Sequence, residues 1–268
     1  MATKVKKSKK FTVSAFLVII ACYAVAWCVF HFIFGSPDNF QNGDPNGHPI
    51  QGNLLGTIYK GGMIVPILQS MLLTVLVLSI ERFIAIGRAQ GKGKLVKFVE
   101  NIKNALQKND MQAADAICDK QKGSVANVVK ASLTKYAQME KETGMAKDQK
   151  VLAIQKELEE ATALEMPSMA QNLPVLATMT TLGTLIGLLG TVIGMIKSFA
   201  ALATAGAPDS IALSTGISEA LVNTAFGIAT GASAVIFYSY FTTRIDSITQ
   251  AIDEVGFTIV QTFSTTQK

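Results

Sequence analysis

Charged residues are scarce in this sequence. Of its 268 residues, 24 are Lys or Arg and 19 are Asp or Glu, so charged residues make up 16% of the chain. Ordinary soluble domains hold about 25%. Hydrophobic residues reach 49%. A chain so poor in charge is not a disordered polar protein, and its composition argues against a nucleic-acid-binding module. The composition is typical of a membrane protein.

Cysteine and histidine are also rare. The three cysteines, Cys22, Cys28 and Cys118, show neither the spacing of a zinc site nor a disulfide framework. The two histidines, His31 and His48, lie at the end of an apolar run and in a turn-rich segment, without the spacing of a metal site or a catalytic triad. We therefore expect no metal, no cofactor and no enzymatic activity.

Four apolar runs are long enough to cross a bilayer, which takes about 20 residues of helix. We assign the transmembrane helices to residues 11–34, 61–86, 173–203 and 211–243. A cleaved signal peptide is the alternative for the first run. Its 24 uncharged residues exceed the apolar region of a signal peptide, which is about 7–15 residues long, and no small-x-small cleavage motif follows. We therefore expect a retained membrane helix there.

Lys and Arg are distributed very unevenly between the connecting segments. Five of the first ten residues are lysines and fifteen basic residues lie in 81–172, but 35–60 holds only Lys60. The positive-inside rule then places the segments 1–10, 87–172 and 244–268 in the cytoplasm, and the loops 35–60 and 204–210 on the other side. The basic charge thus reflects membrane topology, and the partner that it implies is the lipid bilayer rather than a nucleic acid.

Apolar residues recur at helical spacing in the cytoplasmic segments, as in Leu95, Phe98, Val99, Ile102 and Leu106. No convincing strand alternation is found along the sequence. The predicted fold is an all-α integral membrane protein with four transmembrane helices, a helical cytoplasmic domain, a C-terminal helix over 244–268, and both termini in the cytoplasm.

Small residues mark the third predicted span in two pairs with four-residue spacing, Gly183 with Gly187 and Gly190 with Gly194. Glycines at this spacing let membrane helices approach closely. Tight helix packing, without any further role, is the simpler interpretation of these four residues. It predicts a closely packed or oligomeric bundle.

The third and fourth spans each carry a polar face, made of Thr180, Thr184 and Thr191 on one and Thr215, Ser218, Glu219 and Asn223 on the other. Threonine hydroxyls in membrane helices commonly bond to the carbonyl four residues earlier. Internal bonding and a water-lined surface are therefore both open for the threonines. Two polar faces on helices joined by a short loop favour a hydrophilic seam.

Glu219 is the acidic residue well inside an apolar span, where an ionisable group is costly and points to function. A structural hydrogen bond or an ion pair with Lys197 are the alternatives. A rise of about 1.5 Å per residue places Glu219 level with Thr191, whereas Lys197 lies near the end of the third span. We therefore expect Lys197 to extend outward, towards Asp209, and Glu219 to act in ion movement.

Two motifs resemble the core helices of the ExbB–TolQ–MotA proton-channel family. One is Gly-Thr-Val-Ile-Gly-Met at 190–195, followed by Ser198-Phe199. The other is Gly-Ile-Ser-Glu-Ala-Leu at 216–221, followed by Thr224-Ala225-x-Gly227. Pro66 and the Glu81-Arg82 end of the second span fit the family's first core helix. The resemblance covers about residues 61–246 and fits ExbB best, with 11–34 as an extra N-terminal membrane helix.

The resemblance implies a motor subunit of the bacterial inner membrane, driven by the proton-motive force. It implies a homopentamer around two copies of a single-span ExbD-like partner, coupled through a TonB-like energy transducer to outer-membrane transport. The residues matching its proton pathway are Thr191, Glu219 and Thr224, to which we add Thr184 and Asn223 on the same faces.

Other functions stay open on the sequence. A TolQ-like or gliding-type (stator) motor would drive a different load through the same kind of membrane core. A secondary transporter or a purely structural membrane scaffold would be a different class of protein. A transporter usually shows internal repeats and broken helices, and the four predicted spans show neither.

Overall fold

A computed structural model of the protein describes residues 14–45, 47–204 and 210–266. The predictions for segment 1–10, for residues 11–13 and for most of the 204–210 loop lie outside the described residues, as does Asp209. The α-helices are α1 Ala15–Cys28, α2 Leu54–Tyr59, α3 Ile64–Gln90, α4 Leu95–Gln107, α5 Met111–Gln121, α6 Gly123–Lys141, α7 Lys147–Ala170, α8 Leu173–Thr204 and α9 Ser210–Thr266.

In the described part of the chain, four helical stretches are long and apolar enough to cross a membrane. They are Ala15–Phe34 and the apolar portions of Ile64–Gln107, Lys147–Ala203 and Ala212–Thr266. The fold is therefore nearly all helical, as predicted. A single bridge, between Phe40 and Pro49, is the strand-like pairing among the described residues.

The structure divides into two compact units. The first contains the described residues up to Glu81 and Asn172–Ser239. The second contains Arg82–Gln171 and the described residues from Tyr240 onward.

In the first unit, α1 continues as a turn of π-helix, Val29–Phe34, and the segment after it folds back. The side-chain amide of Asn39 donates to the carbonyls of Ile33 at 2.7 Å and Phe34 at 3.1 Å. The Asn53 amide donates to Asn39 Oδ1 at 3.0 Å. Asn53 also caps α2, since its Oδ1 accepts from the Leu55 backbone N–H at 2.9 Å. These bonds fix the 35–60 segment to the end of α1.

In the second unit, α4 buries one apolar face, formed by Phe98, Val99, Ile102, Ala105 and Leu106. The C-terminal part of α9 contributes Phe263, whose buried ring meets the edge of Tyr136 with centroids 4.9 Å apart. Lys103 and Glu254 form an ion pair at the surface. Burial, and then the nearby Asp115, raise the pKa of the Cys118 thiol to about 12, so this cysteine is protonated at neutral pH.

One helix start differs from the sequence assignment, and one helix is continuous across a predicted membrane boundary. The single helix α9, Ser210–Thr266, includes the segments that we separated at 243 and 244. No glycine or proline lies in 232–255, so nothing interrupts the helix there. The second span begins later than residue 61, since Gly62 has a φ of +76° and α3 starts at Ile64. It ends at Gln90, before Gly91 with a φ of +86°.

Candidate functional site

Glycines bring α8 and the first part of α9 into direct backbone contact. A Cβ atom at Gly187 would lie 2.8 Å from Gly227 Cα, and one at Gly194 would lie 2.7 Å from the Gly216 carbonyl oxygen. A Cβ at Gly190 would meet Asn223 Cβ at 2.5 Å, and one at Gly183 would meet Thr230 Cγ2 at 2.9 Å. All four glycines therefore face α9. Their spacing sets the register in which the polar side chains of the two helices meet.

Thr191 and Thr224 meet across this contact, with their hydroxyl oxygens within hydrogen-bonding distance. The Thr191 hydroxyl also lies 3.2 Å from the Gly187 carbonyl oxygen and 3.4 Å from that of Ala220. Thr224 shares the same Ala220 carbonyl at 3.2 Å. The hydroxyl of Thr191 thus makes the expected bond within its own helix and also reaches α9, whereas a water-lined surface at Thr191 stays a prediction.

Glu219, on the same helix as Thr224, is buried and forms an ion pair. Its side chain is 8% exposed, and its Oε1 accepts a hydrogen bond from Lys197 Nζ at 2.7 Å. The expectation that Lys197 points away from Glu219 was therefore wrong.

The error came from the helix register. The glycine contacts place Glu219 opposite Gly194, not opposite Thr191, because Gly194 packs against Gly216 and Ala220. Lys197 then lies about one helical turn from Glu219 along the helix axis. A lysine side chain spans that distance, so the lysine reaches the carboxylate from the end of α8.

The turn before α3 covers the carboxylate, a contact that we did not predict from the sequence. A Cβ atom at Gly62 would collide with Glu219 Oε1, so a larger residue there would have to displace the carboxylate. The positive φ of Gly62 favours glycine for a second reason. The signal available in the sequence was the Gly61-Gly62 pair just before the second apolar run.

Asn223 joins α9 to the same turn. Its side-chain amide donates to the Gly61 carbonyl oxygen at 3.0 Å, and the residue is fully buried. Among the described residues, its Oδ1 finds no hydrogen-bond partner. A buried acceptor without a partner is costly. Asn223 follows Glu219 by four residues, so this acceptor lies one helical turn from the carboxylate on the same face.

The end of the first membrane helix packs against the part of α9 that carries Asn223 and Thr224. Phe30 and Phe34, both in the π-helical turn Val29–Phe34, form a buried cluster with Val65 of α3. Val222 and Phe226 of α9 pack against this cluster. These two residues flank Asn223 and Thr224 in the sequence, so the cluster holds this part of α9 beside the Gly61-Gly62 turn.

Thr184 is not brought to Glu219. It lies seven residues before Thr191, which is about 10 Å along the helix, and its exposed side chain donates to the Thr180 carbonyl at 3.3 Å. Ser198, which was not among the predicted site residues, does bridge the two helices. Its buried hydroxyl lies 3.2 Å from the Leu213 carbonyl oxygen of α9 and 3.1 Å from that of Gly194.

The site therefore contains one carboxylate, one ammonium, two hydroxyls in contact and one amide. Such a set can bind and release a proton, and it has too few carboxylates and no imidazole or thiolate for a metal site. In residues 14–45, 47–204 and 210–266, no group of three His, Cys, Asp or Glu side chains could hold a metal ion.

Comparison with protein families decides the classification. The model of the MotA/TolQ/ExbB proton channel family matches residues 120–254, which is half of the chain. The chain belongs to this family. The matched region includes α8 and the part of α9 that holds Glu219 and Thr224. The family is one of membrane proton channels rather than of enzymes, and the four apolar helices are those of a multi-pass membrane protein.

Two curated proteins are similar to this family member. The Tol-Pal system protein TolQ of Pseudomonas aeruginosa is 27% identical over 124 residues, which is 46% of this chain and 54% of TolQ. The putative biopolymer transport protein ExbB-like 3 of Synechocystis sp. is 35% identical over 86 residues, 31% of this chain and 41% of that protein. The matches thus span about half the length of these relatives.

Proposed function

We propose that this chain is a subunit of a motor in the bacterial inner membrane, driven by protons that cross the membrane along the α8–α9 seam. The observation that carries the proposal is Glu219, a carboxylate that is only 8% exposed on an apolar helix and is held by an ion pair. Burying a charge is costly, so a membrane protein that retains one generally uses it. The family provides the context in which that use is proton movement.

The seam supplies the other groups that a proton pathway needs. Beyond Glu219, the Oδ1 of Asn223, which has no hydrogen-bond partner among the described residues, and the paired hydroxyls of Thr191 and Thr224 follow along the helix axis. Hydroxyls both donate and accept, so a pair in contact can pass a proton on. Thr184 extends the polar face of α8 by two further turns. One charge crossing about 100 mV releases roughly 2.3 kcal/mol, which is the energy available for each proton.

The assembly that we propose is a homopentamer around two copies of a single-span, ExbD-like partner. Large apolar side chains stand exposed on both helices of the seam, including Leu185, Leu188 and Val192 on α8 and Leu221 and Ile228 on α9. Exposed apolar surface of this extent marks contact with lipid or with other helices. Neighbouring copies, the partner helices and the bilayer would cover it in the assembly.

We further propose that segments 1–10, 87–172 and 244–268 face the cytoplasm, and that 35–60 and 204–210 face the periplasm. The distribution of Lys and Arg supports this orientation. Glu219 would then lie towards the periplasmic side of the bilayer, because the Gly61-Gly62 turn that covers it ends the 35–60 segment.

The proposed load is TonB-dependent transport across the outer membrane, through a TonB-like transducer. The similarity to an ExbB-like biopolymer transport protein supports it. A TolQ-like load is the second candidate, supported by the similarity to TolQ over a longer stretch of chain. A gliding-type (stator) load is a further variant of the same motor.

The two loads can be separated in one experiment. The gene is deleted in the source bacterium and replaced by the wild type, by Glu219→Gln, or by Glu254→Gln as a matched control at an exposed ion pair. Uptake of a ferric siderophore reports a TonB-type load, and resistance to detergent reports a Tol-type load. We expect Glu219→Gln to abolish one of these two activities and Glu254→Gln to preserve both.

The other classes of function predict different results. A structural scaffold would tolerate Glu219→Gln in both assays, and this result would refute the proposal provided that the variant reaches wild-type levels in the membrane. A secondary transporter would lose accumulation of its own substrate, while siderophore uptake and detergent resistance would both stay normal.

A further inference from the structure

Lys197 contacts the proposed proton carrier directly, and the family resemblance assigns it no role. We propose that Lys197 is the mobile counter-ion of Glu219: it neutralises the carboxylate in the resting site and withdraws into water when the carboxylate takes up a proton. This inference rests on the proposed function of Glu219. It makes Lys197 a positioning residue, because the transferred proton never resides on the lysine.

The two partners of the pair differ sharply in exposure. The Lys197 side chain is 57% exposed, whereas that of Glu219 is 8% exposed. The ammonium can therefore leave the carboxylate by rotating about its own side-chain bonds and extend towards water at the nearby end of α8, without any movement of that helix. The carboxylate has no such freedom, because α8 packs against α9 at Gly194 and Ala220, beside it.

Among the described groups around Glu219, the Lys197 ammonium is its charged partner. The Gly62 turn closes over Oε1 with backbone only. Lys60, on the same segment, is directed elsewhere, since its Nζ donates to the Pro45 carbonyl oxygen at 2.9 Å. The described part of α9 carries no other Asp, Glu, Lys or Arg between Ala212 and Thr243. Within the described residues, charge balance at Glu219 thus depends on Lys197.

The cycle balances in protons and charge. In the resting site, the carboxylate and the ammonium sum to zero. A proton from water on one side binds Glu219, and the ammonium moves into water with its positive charge, leaving a neutral carboxyl group buried. When that proton leaves towards the other side, the ammonium returns to the carboxylate. Lys197 keeps its three protons throughout, and one proton has crossed.

The pair also explains how the site would select its ion. The ammonium donates to Oε1 at 2.7 Å, in the position that a metal cation would need next to the carboxylate. A sodium ion would have to displace the Lys197 ammonium, and the site would offer it only one carboxylate ligand. A proton binds covalently to the oxygen and needs no such coordination shell.

The test measures the neutral form of Glu219 through its reaction with dicyclohexylcarbodiimide, an apolar reagent that adds to protonated carboxyl groups. Membranes containing the full assembly are labelled at neutral pH, and the modified Glu219 peptide is quantified by mass spectrometry. The variants are Lys197→Gln, Lys197→Arg and, as a control, Lys156→Gln, whose side chain is exposed at a surface pair with Glu160.

Removing the ammonium leaves a buried carboxylate without compensation, and such a group takes up a proton. We therefore expect Lys197→Gln to label several-fold faster than the wild type. Lys197→Arg keeps the charge, so it should label at the wild-type rate, as should Lys156→Gln. A wild-type labelling rate in Lys197→Gln would overturn the inference.

A second measurement covers the case in which Lys197→Gln does not assemble. Acetic anhydride neutralises exposed lysines in the assembled wild-type protein, but it does not modify the arginine of Lys197→Arg. Acetylation should accelerate labelling of Glu219 in the wild type and not in Lys197→Arg. Equal effects on the two proteins would refute the role of Lys197.

The outcomes separate this inference from the proposed function. If Glu219→Gln abolishes coupled activity but Lys197→Gln labels normally, the motor proposal stands and the counter-ion role falls. If Glu219→Gln keeps full activity, the motor proposal itself fails, whatever the labelling rates.

Discussion

The close contact of α8 with α9 makes a quantitative prediction about two glycine-to-alanine substitutions. A methyl group at Gly187 would lie 2.8 Å from Gly227 Cα and 3.0 Å from the Asn223 carbonyl oxygen, and both are backbone atoms. Carbon atoms in contact prefer about 3.5–4.0 Å. The helices must therefore separate by roughly 1 Å, or the backbone must bend.

Gly87 is the matched control. It lies inside α3, and a methyl group there would meet nothing within 4 Å. Alanine in place of glycine within a helix stabilises it by about 1 kcal/mol. Gly87→Ala should gain that amount. Gly187→Ala gains the same and loses about 1–3 kcal/mol through overpacking, so it should be neutral or destabilised by up to about 2 kcal/mol.

The difference between the two variants isolates the helix contact. It is read from unfolding of the detergent-solubilised protein, followed by circular dichroism during titration with a denaturing detergent. We expect Gly187→Ala to be less stable than Gly87→Ala by about 1–3 kcal/mol. Equal stability of the two variants would show that α8 and α9 do not touch at Gly187, and would remove the basis for the seam.

Three further predictions concern single side chains. Thr191→Val should destabilise the protein by only about 1 kcal/mol but lower motor-driven activity about tenfold or more. The control Thr178→Val, at a hydroxyl bonded to its own helix, should do neither. Equal activity of the two variants would refute proton transfer through the Thr191 hydroxyl. Burial raises the pKa of Cys118 to about 12, so this thiol should resist alkylation in the folded protein up to about pH 9. The free energy of unfolding should fall between about pH 9 and 12, because the thiol ionises in the unfolded chain before it does so in the folded protein. Rapid alkylation at pH 7 would contradict the burial of Cys118. Phe263→Ala should destabilise the second unit by about 3–5 kcal/mol in thermal unfolding. The control Phe257→Ala, at a side chain that is 70% exposed, should change the free energy of unfolding by less than about 0.5 kcal/mol. Similar effects of the two variants would place Phe263 outside the core.

The apolar runs predicted the helices well because membrane helices depend on composition over some 20 residues, which a sequence displays directly. The ends of the helices were harder to predict from the sequence. We began the second span at residue 61, but the Gly61-Gly62 turn precedes α3, which starts at Ile64. The change from apolar to charged residues near residue 243 does not end α9, because backbone hydrogen bonding continues to Thr266.

We missed the ion pair between Lys197 and Glu219 because it depends on how α8 and α9 are aligned along their axes. Counting residues from the helix ends does not determine that alignment. A better signal was present. Small residues also recur on α9, at Gly216, Ala220 and Gly227. Aligning them antiparallel with the glycines of α8 would have placed Lys197 within one turn of Glu219. The cover provided by Gly62 could not have been found this way, because it depends on the path of the 35–60 segment.

We propose that protons cross the membrane by way of the Glu219 carboxyl group. The most direct test places the complex, extracted from its native membrane, in liposomes with a potassium diffusion potential and a pH-sensitive dye inside. We predict potential-driven proton flux with the wild type and with Glu254→Gln, and none above that of empty liposomes with Glu219→Gln. Flux through Glu219→Gln at the wild-type rate would contradict it.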